Sequence, residues 1–339
     1  MKTSQASAAI DICIRANLPV LLVGTPGVGK TAIVEQAARA QDADLIVSYP
    51  ALGDPTDVKG LPWVSKSKTE ATFLPFGDLA EALKAKKKTV WFLDDLGQAT
   101  QAVQASWMQL LLARQVNGRK IPDCVTFVAA TNRRQDRAGV SGILEPVKSR
   151  FATILHIEPD LNDWTLWAYT AAVPPEVINF LRFRHELFHK FEPTADMVNS
   201  PSPRTWQRVG ELFKANVPED LELEVYGGAV GEGAAREFVG FLKLYRHLPN
   251  IDAVLLDPEQ AEIPKEISVR YALCAGLANK VTNQNFSRIA KYATRLYDAG
   301  EGDYAALLVK DCVRKDPSVK QTAAFTKLAA SPLGQLWAA

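Results

Sequence analysis

Val20-Leu-Leu-Val-Gly-Thr-Pro-Gly-Val-Gly-Lys-Thr31 is the stretch from which the rest of the chain is read. Val20–Val23 is a short apolar run of the kind that forms a buried strand. After Thr31, the residues Ile33, Val34, Ala37 and Ala38 fall on one side of a helix. Between the two lies Gly24-Thr25-Pro26-Gly27-Val28-Gly29-Lys30-Thr31. A strand, a glycine-rich turn and a helix N-terminus together make a phosphate cradle, because free N–H groups and the helix dipole both face an anion there. Gly24, Gly27 and Gly29 let the backbone bend sharply and approach phosphate closely. In such a cradle Lys30 reaches the β- and γ-phosphates and the Thr31 hydroxyl ligates Mg²⁺.

The bulk properties set bounds. A chain of 339 residues suggests two or three packed units. A hydrophobic fraction of 47% and a charged fraction of 23% belong to an ordinary globular protein. With a net charge of +1 the average surface does not attract polyanions, so nucleic-acid binding would need a local patch. Cys13, Cys124, Cys274 and Cys312 lie far apart without paired zinc-ligand spacing and read as buried thiols of a reducing compartment. No apolar run approaches the roughly 20 residues that span a bilayer, and Met1-Lys-Thr-Ser-Gln5 lacks a signal peptide's apolar stretch. The expectation is a cytoplasmic protein without a membrane segment.

Other elements follow in order. Residues 4–16 pattern as a helix and Leu45–Tyr49 as a strand. Leu61-Pro-Trp-Val64 and Ala71-Thr-Phe-Leu74 flank a polar Ser65–Glu70 and predict an inserted hairpin. Trp63 and Phe73 either pack that hairpin onto its own domain or contact a substrate, with packing the preferred reading. Gly77-Asp78 predicts a helix running to about Lys86. Asn117-Gly118 marks a second small hairpin. Strand–helix alternation through about residue 158 implies a parallel sheet covered on both faces, and helical patterns take over beyond Pro159. Gly227–Gly233 and Pro249–Pro264 read as connections.

Thr89-Val-Trp-Phe-Leu-Asp94-Asp95 is the second strong signal. It delivers adjacent carboxylates at the end of a buried strand, where side-chain alternation points them differently. Asp94 would hold the Mg²⁺ shell, and Asp95 stands where a general base or water-orienting group is needed for attack on the γ-phosphate. Val125–Asn132 is another buried strand, ending in an amide that could orient the attacking water. Arg133, Arg134, Arg137 and Arg150 follow it.

Gly24–Thr31, Val90–Asp95, Ala130-Thr-Asn132, Ser149-Arg150-Phe151 and Ser202-Pro-Arg204, in this order, resemble the MoxR-like branch of the AAA+ ATPases. Asp54-Pro-Thr-Asp-Val-Lys-Gly-Leu-Pro62 looks like that helix-2-insert branch's extra hairpin, in a bacterial or phage member. The resemblance implies an α/β AAA+ P-loop core with a parallel sheet over residues 1–158, with the hairpin inserted at about 53–76. An all-helical lid over 159–215 and a C-terminal helical extension over 216–339 would follow. It further implies Walker A at Gly24–Thr31, Walker B at Asp94 and Asp95, and sensor 1 at Asn132. Arg150 would be the arginine finger reaching a neighbouring subunit's nucleotide, with Arg133 and Arg137 as rivals, and Arg204 would be sensor 2. A guanidinium suits both roles because it forks onto phosphate oxygens as charge builds. The implied activity is hydrolysis of ATP with Mg²⁺ by a homo-hexameric ring that remodels or loads a protein partner, often one bearing a von Willebrand A-type domain.

One residue departs from the family pattern. A Glu usually follows the Walker B Asp, and this chain has Asp95, shorter by one methylene. Small misplacements of a catalytic group cost heavily, so hydrolysis could be slow or await assembly. An ATP-gated assembly switch with little turnover is therefore a second reading. A nucleic-acid motor using the inserted hairpin is a third, disfavoured by near-neutral charge and the lack of an aromatic-basic stripe. His185-Glu-Leu-Phe-His189 fits the zinc-protease helix signature, and helix-surface or packing histidines are the preferred reading.

Overall fold

The structure is a computed structural model, and it describes residues 1–64, 70–136, 142–194, 196–246, 248 and 250–338, with the side chains of residues 337 and 338 left aside. The chain divides into two compact units. The first comprises Met1–Asp163 with Phe191–Met197 and Ser202–Arg204; the second comprises Trp164–Lys190, Val198–Pro201 and Thr205–Ala339.

The first unit is built on strands β1 (Val20–Gly24), β2 (Asp44–Ser48), β3 (Leu61–Val64), β4 (Ala71–Leu74), β5 (Thr89–Leu93), β6 (Gln115–Val116), β7 (Arg119–Lys120), β8 (Val125–Thr131) and β9 (Thr153–Ile157). Its helices are α1 (Thr3–Ala16), α2 (Lys30–Ala40), α3 (Pro55–Lys59), α4 (Gly77–Ala82), α5 (Gln101–Ala113) and α6 (Glu145–Lys148). Five strands pair in parallel in the order β2-β5-β8-β1-β9. The registers set Val20 and Phe92 both against Val128, so β1 and β8 end within one residue of each other and β5 ends two residues short of β8.

The unbroken apolar run of β5 has a simple cause: both faces of the sheet are covered. Trp91 and Leu93 enter one core with Leu21, Phe127 and Ala129. Val90 and Phe92 enter the opposite core with Val20, Leu22, Val128 and Ala130, where the apolar sides of α1 and α2 also pack. Trp91 meets the Trp107 ring edge-on at 5.2 Å and stacks on Phe127 at 5.4 Å. Aromatic pairs of this kind contribute about 0.5–1.5 kcal/mol beyond their buried area, so the floor beneath the strand ends is rigid.

Both expected hairpins form, β3 with β4 and β6 with β7, antiparallel. The packing expected of the first is corrected. Trp63 is 64% and Phe73 40% exposed, and Leu61, Val64 and Leu74 are exposed too. A two-stranded ribbon with apolar residues on both faces cannot bury both faces against its own domain. The helix expected from Gly77 ends at Ala82, short of Lys86, and is entered from Phe76 without a side-chain cap.

The second unit is helical. One core gathers residues 254–333, among them Leu273, Cys274, Phe286, Tyr292, Val309 and Cys312. The four cysteines are free thiols. Arg182 on the helix Pro175–Phe183 and Asp311 on the helix Gly302–Lys315 form a buried ion pair. The indole N–H of Trp206 donates to the Leu187 carbonyl at 2.7 Å. Two expected connections are helical instead. Gly227 and Gly228 lie inside the helix Glu222–Val230, because burial of Tyr226 and Val230 outweighs glycine's weak helix propensity. That helix ends at Gly231, φ +82°. Ile251–Leu256 is a short helix within the expected 249–264 connection: Asn250 caps it through the Asp252 N–H, and Val254 and Leu255 are buried.

Candidate nucleotide site

β1, β5 and β8 are sheet neighbours, so Gly24, Asp94 and Asn132 arrive together at their C-terminal ends. Open parallel sheets place ligands there. The loop 24–29 leaves β1 with Gly27 at φ +76° and Gly29 at φ +97°, and α2 then starts at Lys30. Glycine is required at Gly27 on two counts. A side chain is strained at that φ, and an added Cβ would stand 2.7 Å from Ser202 Oγ. A Cβ on Gly24 would press the Ile157 carbonyl at 3.0 Å.

Lys30 is 7% exposed, with its three ammonium protons directed to Gly24 O and Thr25 O at 3.0 Å each and to Asn132 Oδ1 at 2.7 Å. Burial pushes its pKa down to about 8, opposed by Asp95 and Asp94 and assisted by Arg204. Asn132 turns its other side-chain atom to Asp95, with Nδ2 donating to Oδ1 at 3.1 Å. Thr31 Oγ1 donates to Asp94 Oδ2 at 2.8 Å, and the Asp95 N–H donates to Asp94 Oδ1 at 3.0 Å. The Asp94 N–H is itself fixed on Ser48 O at 2.9 Å. Asp95 stands at φ +54°, a left-handed conformation that Asp tolerates better than longer side chains. Burial and then the neighbouring Asp94 raise its pKa, while Lys30 and Arg204 oppose the rise.

Five expected residues thus converge: Lys30, Thr31, Asp94, Asp95 and Asn132. Arg204 joins them through its backbone, since its N–H donates to Gly27 O at 3.2 Å. Its guanidinium is exposed, close enough to act electrostatically on Lys30 and Asp95, and has no bonded partner among the described residues. Arg150 stands apart from this group. It donates to Pro146 O at 2.6 Å and Ser149 Oγ at 2.8 Å, with no bond to the converged residues. Arg133 is held by both carboxylate oxygens of Asp136. Arg137 lies outside the described residues.

Asp136 lies outside every quoted motif, while Ser202 and Thr25 fall within Ser202–Arg204 and Gly24–Thr31. Asp136 is buried and its charge acts on Lys30. Ser202 occupies the space that a side chain at Gly27 would need. Thr25 Oγ1 is buried inside the cradle with no hydrogen-bond partner among the described residues. A polar atom left so is uncommon in a folded interior and marks a place for a ligand atom.

These observations fit a magnesium–nucleoside triphosphate. The loop gives close backbone approach, Lys30 a cation, Thr31 and Asp94 a paired hydroxyl and carboxylate for a hard cation, and Thr25 an orphaned hydroxyl. The His185–His189 segment offers no comparable site. It forms a 3-10 turn over His185–Leu187, so the helix of the zinc signature is not formed, and His185 contacts Glu186 at 3.6 Å. Among the described residues no three His, Cys, Asp or Glu side chains are grouped to hold a metal.

Residues 19–151 match the family model described as AAA domain (dynein-related subfamily). The fold is accordingly an α/β AAA+ core with a parallel sheet, followed by a helical C-terminal region. Three solved structures show distant likeness. RuvB of Thermotoga maritima, a Holliday junction branch migration motor, is 15% identical over 87% of this chain and 76% of its own, with a TM-score of 0.36. NtrX of Brucella abortus in complex with ADP is 12% identical over 98% and 68%, with a TM-score of 0.41. A putative ATPase from Cytophaga hutchinsonii is 15% identical over 87% and 76%, with a TM-score of 0.37. No curated protein matches the chain in sequence. Among the described residues no helix is long and apolar enough to cross a membrane.

Proposed function

We propose that the chain is a MoxR-like AAA+ ATPase that binds Mg·ATP, hydrolyses it and, as a cytoplasmic ring of six copies, remodels or loads a protein partner. The observation that carries this reading is the hydrogen-bonded series Lys30–Asn132–Asp95 beside Thr31–Asp94. Residues 1–158 act as the core, 159–215 as the helical lid and 216–339 as a C-terminal helical extension. The partner class we favour bears a von Willebrand A-type domain.

Roles follow from chemistry and position. Backbone N–H groups of Gly24–Thr31 bind the phosphates, and Lys30 trades loop carbonyls for β- and γ-phosphate oxygens. Thr31 and Asp94 would hold Mg²⁺, which supplies positive charge against the phosphate oxygens. Asp95 accepts a hydrogen bond or proton from the attacking water, and Asn132 orients both Asp95 and that water. A raised pKa makes the Asp95 carboxylate a better proton acceptor than an ordinary aspartate. Arg204 faces its own chain's pocket as the sensor 2 residue, which its field on Lys30 and Asp95 supports. Arg150 serves a neighbour's pocket as the finger, consistent with its separation from the residues above.

Asp95 also favours a second reading, an ATP-gated assembly switch, because a shorter side chain in a left-handed turn reaches less far than Glu. Steady-state phosphate release, with mass measured with and without ATP, separates the two. Assembly with steady turnover supports the motor, and assembly without turnover supports the switch. Neither assembly nor turnover refutes both.

A further inference from the structure

A cavity of about 280 Å³, apart from the nucleotide loop, opens in the first unit beside the end of β2, between α3, the start of α4 and α5. Its size is just below the roughly 300–1,000 Å³ of small-molecule pockets, enough for one large side chain. Its walls are aromatic, with Tyr49, Phe76, Trp91 and Trp107 among the lining residues. Its charge is of one sign: Asp54, Asp57 and Asp78 line it, and among the described residues no lysine, arginine or histidine does.

These carboxylates are held in place. Trp91 Nε1 donates to Ser48 Oγ at 2.8 Å, and Ser48 Oγ donates to Asp78 Oδ2 at 2.6 Å, a relay rooted in the buried floor. Asp57 Oδ2 accepts the Asp54 N–H at 2.8 Å, and Asp54 Oδ1 accepts the Thr56 N–H at 2.9 Å. That last bond keeps the Asp54 carboxyl below the usual range, so it stays ionised. None of the three has a cationic partner among the described residues. A separate observation concerns Trp107. It is 3% exposed, lines the cavity, and its indole N–H has no acceptor among the described residues.

We infer that this cleft takes the arginine side chain of a protein partner. Carboxylates around an aromatic cage select an organic cation, and a planar guanidinium both stacks on rings and forks onto carboxylates. A peptide-borne arginine also brings neutral main-chain amides in place of the free amino acid's carboxylate, which Asp54, Asp57 and Asp78 would repel. The site involves none of the nucleotide-binding residues, so its test does not depend on ATP.

The experiment titrates the full chain with N-acetyl-arginine methylamide by calorimetry, with tryptophan fluorescence as a second readout. Comparison ligands are N-acetyl-norleucine methylamide, free L-arginine and Ca²⁺. Asp78→Asn removes one charge while keeping an acceptor for Ser48 Oγ, so the fold is retained. The arginine amide should bind saturably, more tightly than the neutral norleucine analogue and than free L-arginine, whose own carboxylate is repelled. Asp78→Asn should weaken it at least tenfold. Absence of binding, equal binding by the norleucine analogue, or unchanged affinity in folded Asp78→Asn overturns the site. Free L-arginine binding as tightly as the amide, or Ca²⁺ binding in place of it, overturns the partner assignment.

Discussion

The side-chain amide of Asn132 donates to the Asp95 carboxylate at 3.1 Å. Asn132 has a second attachment, its carbonyl oxygen on the Lys30 ammonium, and so spans the cation and the carboxylate. Asn132→Ala leaves Asp95 unheld and removes one of three Lys30 acceptors. Phosphate release should fall by about 10²-fold, the order seen when one positioned hydrogen-bonding group is deleted, with ATP affinity little changed. Steady-state kinetics with parallel binding curves checks this.

Lys30 gives a pH dependence whose sign can be worked out. Burial brings its pKa to about 8 in the folded chain, against roughly 10.4 unfolded. The unfolded chain then binds more protons between those values, so the Lys30 contribution to stability rises as pH climbs through that window. ATP affinity moves the opposite way. Phosphate needs the ammonium form, so above about pH 8 binding should weaken by up to about tenfold per unit and take up a proton. Calorimetry in two buffers of different ionisation enthalpy measures that uptake.

Asp95 carries a raised pKa, so its protonated form favours the fold. That contribution is complete below the unfolded value, roughly 3.9, and is lost as pH rises through the folded one. At neutral pH the ionised group is a net cost. Asp95→Asn removes it, and Asn also tolerates the left-handed backbone at φ +54°. The variant should be more stable by about 0.5–1 kcal/mol and should hydrolyse ATP far more slowly. Chemical denaturation and phosphate release together test this.

Two loop glycines should behave differently. Gly27→Ala meets both a strained φ of +76° and Ser202 Oγ at 2.7 Å, whereas Gly29→Ala at φ +97° has no atom within 4 Å of its added Cβ. Backbone strain alone costs about 1–2 kcal/mol. Gly27→Ala should therefore lower the unfolding temperature more than Gly29→Ala does, and it should displace Ser202–Arg204 from the loop. Thermal unfolding of the two variants side by side is the check.

Much of this site is legible in the chain because three of its parts end buried apolar strands. Val20–Val23, Val90–Leu93 and Val125–Thr131 each lead straight into a chemical residue, and a parallel sheet aligns their ends. What escapes a linear reading arrives through tertiary contact. Ser202 reaches Gly27, and Asp136 reaches Lys30, through folding that no local pattern encodes. The exposure of Trp63 and Phe73 escapes for another reason, since alternation marks a strand without saying what covers it. Gly227 and Gly228 mislead because propensity is weaker than the burial of Tyr226.

The most direct measurement is the ATP dissociation constant of the wild-type chain and of Lys30→Ala in the presence of Mg²⁺, taken with steady-state phosphate release. Lys30→Ala should weaken binding at least about tenfold, or roughly 1.4 kcal/mol, and abolish release. Wild-type affinity in a correctly folded Lys30→Ala protein would contradict a nucleotide site at Gly24–Thr31.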